Sequence, residues 1–238
     1  MRRILALLMM IPLTAFATPT ESSESLEWKP GEKINYLQFL PEGYDKDSAE
    51  AYPLVIFLHG SGERGDNLDL IRKHGPPMMA TTAMKNQGHG LPFILAAPQC
   101  PMGRWWNTDE VIALTKHLAK SLHVDEKRIH LTGISMGGFG TWACLTQEPD
   151  LYASGVPICG GGEPAQAEKI KDIPIWTFHG LKDDAVPVAK TQEMEKAIHD
   201  AGGKKLLVTY YPEEHHESWI PAYADPSLLA WMMLQHKK

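Results

Sequence analysis

Cysteine is scarce in this chain, with three residues among 238. That number excludes a disulfide-stapled scaffold. At most one internal bridge can form among Cys100, Cys144 and Cys159, and spacing alone leaves the pair open. The three fit no metal-ligand pattern, and Cys144 falls where a helix would bury it as a small apolar residue. Basic clusters are also missing, and the formal charge is −6. This balance argues against nucleic acid and anionic membrane surfaces as partners. There is no internal repeat and no low-complexity linker. Beyond the first residues, no apolar run approaches the roughly 20 residues that span a bilayer.

The first residues form a separate unit. Arg2 and Arg3 give a positive start, residues 4–15 an apolar stretch, and Ala15-Phe16-Ala17 a small-x-small cleavage site. Together they read as a secretory signal cut after Ala17, which implies a periplasmic or secreted protein with no membrane span after cleavage. Residues 18–27 are rich in Ser and Glu and read as a mobile leader. One catalytic domain is expected over residues 28–238, long enough for a substantial core.

From Trp28 onward, short β-like runs alternate with helical patterns. Residues 34–40 alternate like a half-exposed strand and end at Pro41-Glu42-Gly43. Residues 53–58 are continuously apolar, as in a strand buried on both faces. Residues 93–97, 129–132, 153–158, 173–178 and 206–211 read as further strands. Residues 108–122 place Val111, Leu114, Leu118 and Leu122 on one helical face, with Thr108 and Asp109 offering a cap. Residues 188–201 form a second amphipathic pattern stopped by Gly202-Gly203. Residues 226–234 form a last one, with Pro226 in its first turn. This order implies a doubly wound, mostly parallel α/β sheet flanked by helices.

Four loops after strands carry reactive groups. Gly133-Ile134-Ser135-Met136-Gly137-Gly138 joins a strand to a helix and pushes the Ser135 hydroxyl out at a tight turn, beside the free N–H groups of a helix start. His179-Gly180-Leu181-Lys182-Asp183-Asp184 offers two carboxylates, either of which could orient a histidine; one could instead cap the next helix. Glu213-Glu214-His215-His216-Glu217 offers two candidate bases. A metal site built from Glu213, His215, His216 and Glu217 is the rival reading, but consecutive loop residues make poor geometry for several ligands. Finally, His59-Gly60-Ser61-Gly62-Glu63-Arg64-Gly65 can turn backbone N–H groups toward a carbonyl oxygen. The N–H groups of Ser61 and Met136 are the expected oxyanion hole, with Gly62 the substitute for Ser61.

With these loops in view the chain resembles the α/β-hydrolase esterases. The likeness is to the phospholipase/carboxylesterase and polyhydroxybutyrate-depolymerase-like branch, grouped with prolyl-oligopeptidase-type hydrolases. It runs from about Leu40 to the end. Leu40-Pro41-Glu42-Gly43-Tyr44, HGSGERG at 59–65, Ala97-Pro98-Gln99-Cys100-Pro101, GISMGG at 133–138, HGLKDDAVPV at 179–188 and His216-Glu217-Ser218-Trp219 carry it. The resemblance implies the α/β-hydrolase fold and a triad of Ser135, Asp183 and His216. Its HGxxDxxVP pattern selects Asp183 over Asp184, and its HxSW pattern selects His216 over His215. Glu217 departs from the pattern, where a small polar residue is commoner, and a carboxylate there is expected to favour the charged form of the base.

Trp105, Trp106 and Trp219 are candidates to wall an acyl or aromatic pocket, with at least one of them open to being core. The activity expected is hydrolysis of a small or polymer-attached carboxylic ester, with no metal and no organic cofactor. A serine peptidase is the alternative by kinship, although such relatives gain selectivity from an added propeller that this length does not hold. A noncatalytic binding module on the same fold is the other.

Overall fold

The computed structural model describes residues 18–237, so the signal segment over 1–17 lies outside the described residues. Eight strands form one sheet: β1 (Thr20–Lys29), β2 (Glu32–Leu40), β3 (Tyr52–Leu58), β4 (Ile94–Pro98), β5 (Val124–Ile134), β6 (Ser154–Ile158), β7 (Ile175–Gly180) and β8 (Leu206–Tyr211). Their spatial order is β1-β2-β4-β3-β5-β6-β7-β8. The β1–β2 and β2–β4 pairs are antiparallel, and every pair from β4–β3 to β7–β8 is parallel. Parallel neighbours require crossovers. These are supplied by α1 (Gly75–Gln87), α2 (Thr108–Ser121), α3 (Met136–Gln147) and α4 (Ala189–Asp200), and between β6 and β7 by a short 3-10 helix (Pro164–Lys169), with α5 (Trp219–Ala224) and α6 (Pro226–Met233) after the last strand.

The continuous apolar run of β3 is explained by burial on both faces. Leu54, Ile56 and Leu58 enter one core with Val111, Leu114 and Leu118 of α2 and Trp142 and Leu145 of α3. Val55 and Phe57 enter the opposite core with Phe178, Tyr223 and Leu228. Two-residue alternation thus feeds two cores from one strand.

The segment read as a mobile leader is instead β1. It pairs with β2 along nearly its whole length, from Thr20↔Leu40 to Lys29↔Glu32. An edge strand is held by backbone hydrogen bonds, which polar side chains do not prevent, and Leu26 and Trp28 anchor it on the core. Its glutamates suit an edge, because charge there discourages pairing with other chains. Two further differences are local. The α2 cap is Asn107, which accepts from the Asp109 N–H, rather than Thr108 with Asp109. The helix α1 starts at Gly75-Pro76-Pro77, where prolines in the first turn lose no intrahelical bond. No helix among the described residues is long and apolar enough to cross a membrane.

Candidate active site

The C-terminal ends of β3, β5, β7 and β8 meet at one edge of the sheet. Ser135 follows β5 with φ 53° and ψ −116°, a conformation that a side chain adopts only under constraint. The constraint is close backbone packing. A Cβ on Gly137 would collide with the Leu58 carbonyl of β3, and one on Gly138 with the Ile158 carbonyl of β6. The Ser135 N–H donates to the Ile158 carbonyl at 3.0 Å. The turn is therefore wedged between two strands, and its glycines are required by contact.

The Ser135 hydroxyl lies 2.8 Å from His216 Nε2, and His216 Nδ1 lies 2.8 Å from Asp183 Oδ2. The Asp183 side chain is fully buried while that of His216 is 21% exposed, so of these two the imidazole opens toward solvent. Asp183 Oδ1 accepts the N–H groups of Ala185 and Val186 at 2.9 and 2.8 Å. With the carboxylate oxygen as acceptor, the proton of His216 sits on Nδ1. Nε2 is then free to accept from Ser135.

Two loops are locked to one another to achieve this. Gly180 sits where any Cβ would strike the carbonyls of Glu214 and His215. The Leu181 and Lys182 N–H groups donate to the Tyr211 and Glu214 carbonyls at 2.9 and 3.0 Å. Asp184, His215, Glu213 and Glu217 are exposed and take no part. Glu213 instead pairs with Lys182, and Glu217 forms no ion pair with His216 among the described residues. The rival cation site from consecutive loop residues is thus not assembled.

Gly60 lies against the serine, with a Cβ there 3.7 Å from Ser135 Cβ. Its loop is held from behind by His59, whose Nδ1–H donates to the Gly60 carbonyl at 2.6 Å and whose Nε2 accepts the Cys100 N–H at 2.9 Å. Burial pushes the His59 pKa down to about 4, which keeps it neutral and able to do both. Gln99 donates to the Glu63 and Asn67 carbonyls, both at 2.8 Å. Arg64 Nε donates to the Ser61 carbonyl at 3.0 Å. No hydrogen bond among the described residues uses the N–H of Ser61 or Met136.

The three tryptophans separate. Trp105 is 60% exposed and packs edge-on against Phe139 of α3, with ring centroids 5.7 Å apart. Trp106 is core rather than pocket wall. Its Nε1–H donates to the His59 carbonyl at 3.2 Å and its ring packs on that of His59, with centroids 4.8 Å apart. Trp219 is also largely buried, with its ring edge-on to His216 at 5.4 Å and to His74 at 5.5 Å.

Some features here carry no sequence signal. Cys159, at φ 41° after β6, brings its sulfur within 4.8 Å of ligand atoms of Asp183 and His216. Burial pushes its thiol up to about 12, so it stays protonated, and it is a poor cation ligand while Asp183 and His216 hold each other. All three cysteines are free and buried. Glu63, a buried carboxylate 3.7 Å from His74 Nε2, shows only as one letter of a glycine-rich motif. A cavity of about 540 Å³ lined by Asp150, Tyr152, Lys205 and His236 lies at the opposite edge, where β6, β7 and β8 begin, and holds none of this chemistry.

Residues 104–177 match the prolyl oligopeptidase family. The putative esterase YitV of Bacillus subtilis (strain 168) is 24% identical over 243 residues, which cover 83% of this chain and 95% of that one. The bifunctional acetylxylan esterase/xylanase XynS20E of Neocallimastix patriciarum is 27% identical over 155 residues, 62% of this chain and 22% of its own. Among solved structures, a thermostable esterase superposes with a TM-score of 0.78 at 33% identity, covering 91% of this chain and 63% of that chain. The chain thus spans about a fifth of the acetylxylan esterase/xylanase and less than two thirds of the thermostable esterase. With this sheet order, this serine turn and these likenesses, the chain has the α/β-hydrolase fold and is similar to esterases and, over residues 104–177, to the prolyl oligopeptidase family.

Proposed function

We propose that the chain hydrolyses carboxylic esters through an acyl-enzyme on Ser135. The observation that carries this reading is the unbroken chain of contacts from a buried carboxylate to an imidazole to a hydroxyl, at 2.8 Å each. His216 Nε2 takes the proton of Ser135 as the oxygen attacks the ester carbonyl. The negative charge that develops on the carbonyl oxygen is met by the N–H groups of Ser61 and Met136. His216 then gives its proton to the leaving alcohol. Water repeats the sequence on the acyl-enzyme, and Asp183 stabilises the charged imidazole each time. None of these steps calls on a metal or an organic cofactor.

The substrate is a small or polymer-attached ester. The names of three relatives, an acetylxylan esterase/xylanase, a putative esterase and a thermostable esterase, support ester hydrolysis. A serine peptidase is the second reading, favoured by the match of residues 104–177 to the prolyl oligopeptidase family. A binding module without catalysis is the third. Labelling with a fluorophosphonate probe, lost in Ser135→Ala, separates the first two from the third. Turnover of ester and amide substrates sharing one acyl group then separates ester hydrolase from peptidase. An unlabelled, folded wild-type protein would end the hydrolase reading.

Export to the periplasm or beyond the cell rests on the pattern in residues 1–17. The mass of the protein recovered outside the cytoplasm tests it, with a first residue of Thr18 expected.

A further inference from the structure

His179 ends β7 beside the acid, and the triad chemistry leaves it without a role. Its side chain is fully buried, like that of Asp183. One ring nitrogen, Nε2, lies 2.9 Å from the Val186 carbonyl and 3.1 Å from Asp183 Oδ2. Both neighbours only accept, so Nε2 must carry a hydrogen, and that hydrogen is shared between them. The other nitrogen, Nδ1, lies 2.7 Å from the Thr191 hydroxyl of α4. Burial holds the ring pKa below its ordinary value, so the neutral tautomer stands, with Nε2–H donating and Nδ1 accepting from Thr191.

This arrangement gives the Asp183 carboxylate donors on every side. Oδ1 is held by the N–H groups of Ala185 and Val186, and Oδ2 faces both His216 and His179. Val186 is strapped twice, because its N–H holds Oδ1 while its carbonyl accepts from His179. Without His179, only His216 would fix Oδ2, and His216 must move charge during the reaction. A neutral donor suits this place, since a cation would compete with the imidazolium for the same oxygen.

We propose that His179 is a positioning residue that orients the Asp183 carboxylate toward His216, with Thr191 setting the tilt of its ring. The proposal rests on the reading of Ser135, His216 and Asp183 as the catalytic groups. It has no separate contact with substrate. Its loss should therefore lower kcat and leave KM unchanged.

The test compares wild type, Ser135→Ala, His179→Asn and His179→Gln on one ester that the wild type hydrolyses. The Gln amide nitrogen can reach the place of Nε2, whereas the Asn amide is too short. His179→Asn is expected to lose about tenfold to a hundredfold in kcat, the scale of a slightly misplaced catalytic group. KM should hold, and the low-field proton resonance of His216 Nδ1–H should shift or vanish. His179→Gln should recover most of the rate and the resonance. A folded His179→Asn protein with wild-type kcat overturns the proposal, as does equal kcat in the Asn and Gln variants. If His179→Asn does not fold, Thr191→Val decides, with a lower kcat at constant KM supporting the proposal and an unchanged kcat overturning it. Should Ser135→Ala hydrolyse the ester as fast as wild type, the triad reading itself fails, an outcome distinct from any result at position 179.

Discussion

Gly137 sits so close to the Leu58 carbonyl that any side chain at 137 would overlap the oxygen. This contact joins the helix that begins after Ser135 to the strand that leads into the loop of His59, Gly60 and Ser61, so backbone packing fixes how α3 sits on β3. Gly137→Ala is expected to destabilise the protein by about 3 kcal/mol or more, since the backbone of β3 cannot yield as a flexible side chain would. A thermal unfolding midpoint within a degree of wild type would show that α3 can shift away from β3.

The two adjacent tryptophans should respond oppositely to truncation. Trp105 is exposed beside Phe139 and Trp106 is buried on His59. Trp106→Ala is expected to cost about 3–5 kcal/mol of stability, as for other buried aromatic residues. Trp105→Ala should stay within about 0.5 kcal/mol of wild type and instead raise KM for esters with bulky apolar acyl groups. Chemical denaturation and steady-state kinetics on the two variants check both halves. Equal stability losses would mean that Trp105 is packed as firmly as Trp106.

Stability should fall as the solution is acidified from neutrality. Burial pushes His59 down to about 4 and His130 down to about 3, against an ordinary value of 6.5. Between those values the unfolded chain binds protons that the folded chain refuses, so acid favours unfolding. The stabilisation is fully present above about pH 6.5 and is lost as the pH falls toward 4 and then 3. Each histidine contributes a slope of up to about 1.4 kcal/mol per pH unit. Urea unfolding at intervals from pH 7.5 to 4.5 measures the slope, and His130→Gln should flatten it. An unchanged slope in that variant would assign the acid sensitivity to other groups.

All three thiols should be present and hidden. Cys100, Cys144 and Cys159 are free and buried, and burial pushes Cys100 up to about 11 and Cys159 up to about 12. A chromogenic disulfide reagent should react with none of them in the native protein and with all three after denaturation. Two missing thiols in the denatured protein would reveal a bridge that the folded geometry does not contain.

Much of the site is legible in the sequence because it depends on local chemistry. A serine between small residues after an apolar run marks the turn at Ser135, and the strand-loop order puts a carboxylate and a histidine on the same edge. Resemblance selects Asp183 over Asp184 and His216 over His215, and only the structure shows that the Asp183 side chain is enclosed while Asp184 lies in solvent. The missed parts have non-local causes. β1 is polar because it is an edge held by backbone hydrogen bonds, so composition made it look unstructured. His179 opens the HGLKDDAVPV motif at 179–188, yet its tie to Thr191 forms only when α4 packs against the end of β7.

The sequence by itself determined the alternation of strand and helix, the strand buried on both faces, the strained serine turn and the order of the reactive loops. These depend on periodicity, glycine and residues within a few positions of one another. The tertiary structure decided which of two neighbouring side chains faces inward at 105–106, 183–184 and 215–216, and what supports each group from behind. Those outcomes depend on contacts between segments far apart in the chain, because burial is a property of the packed whole and not of any single stretch.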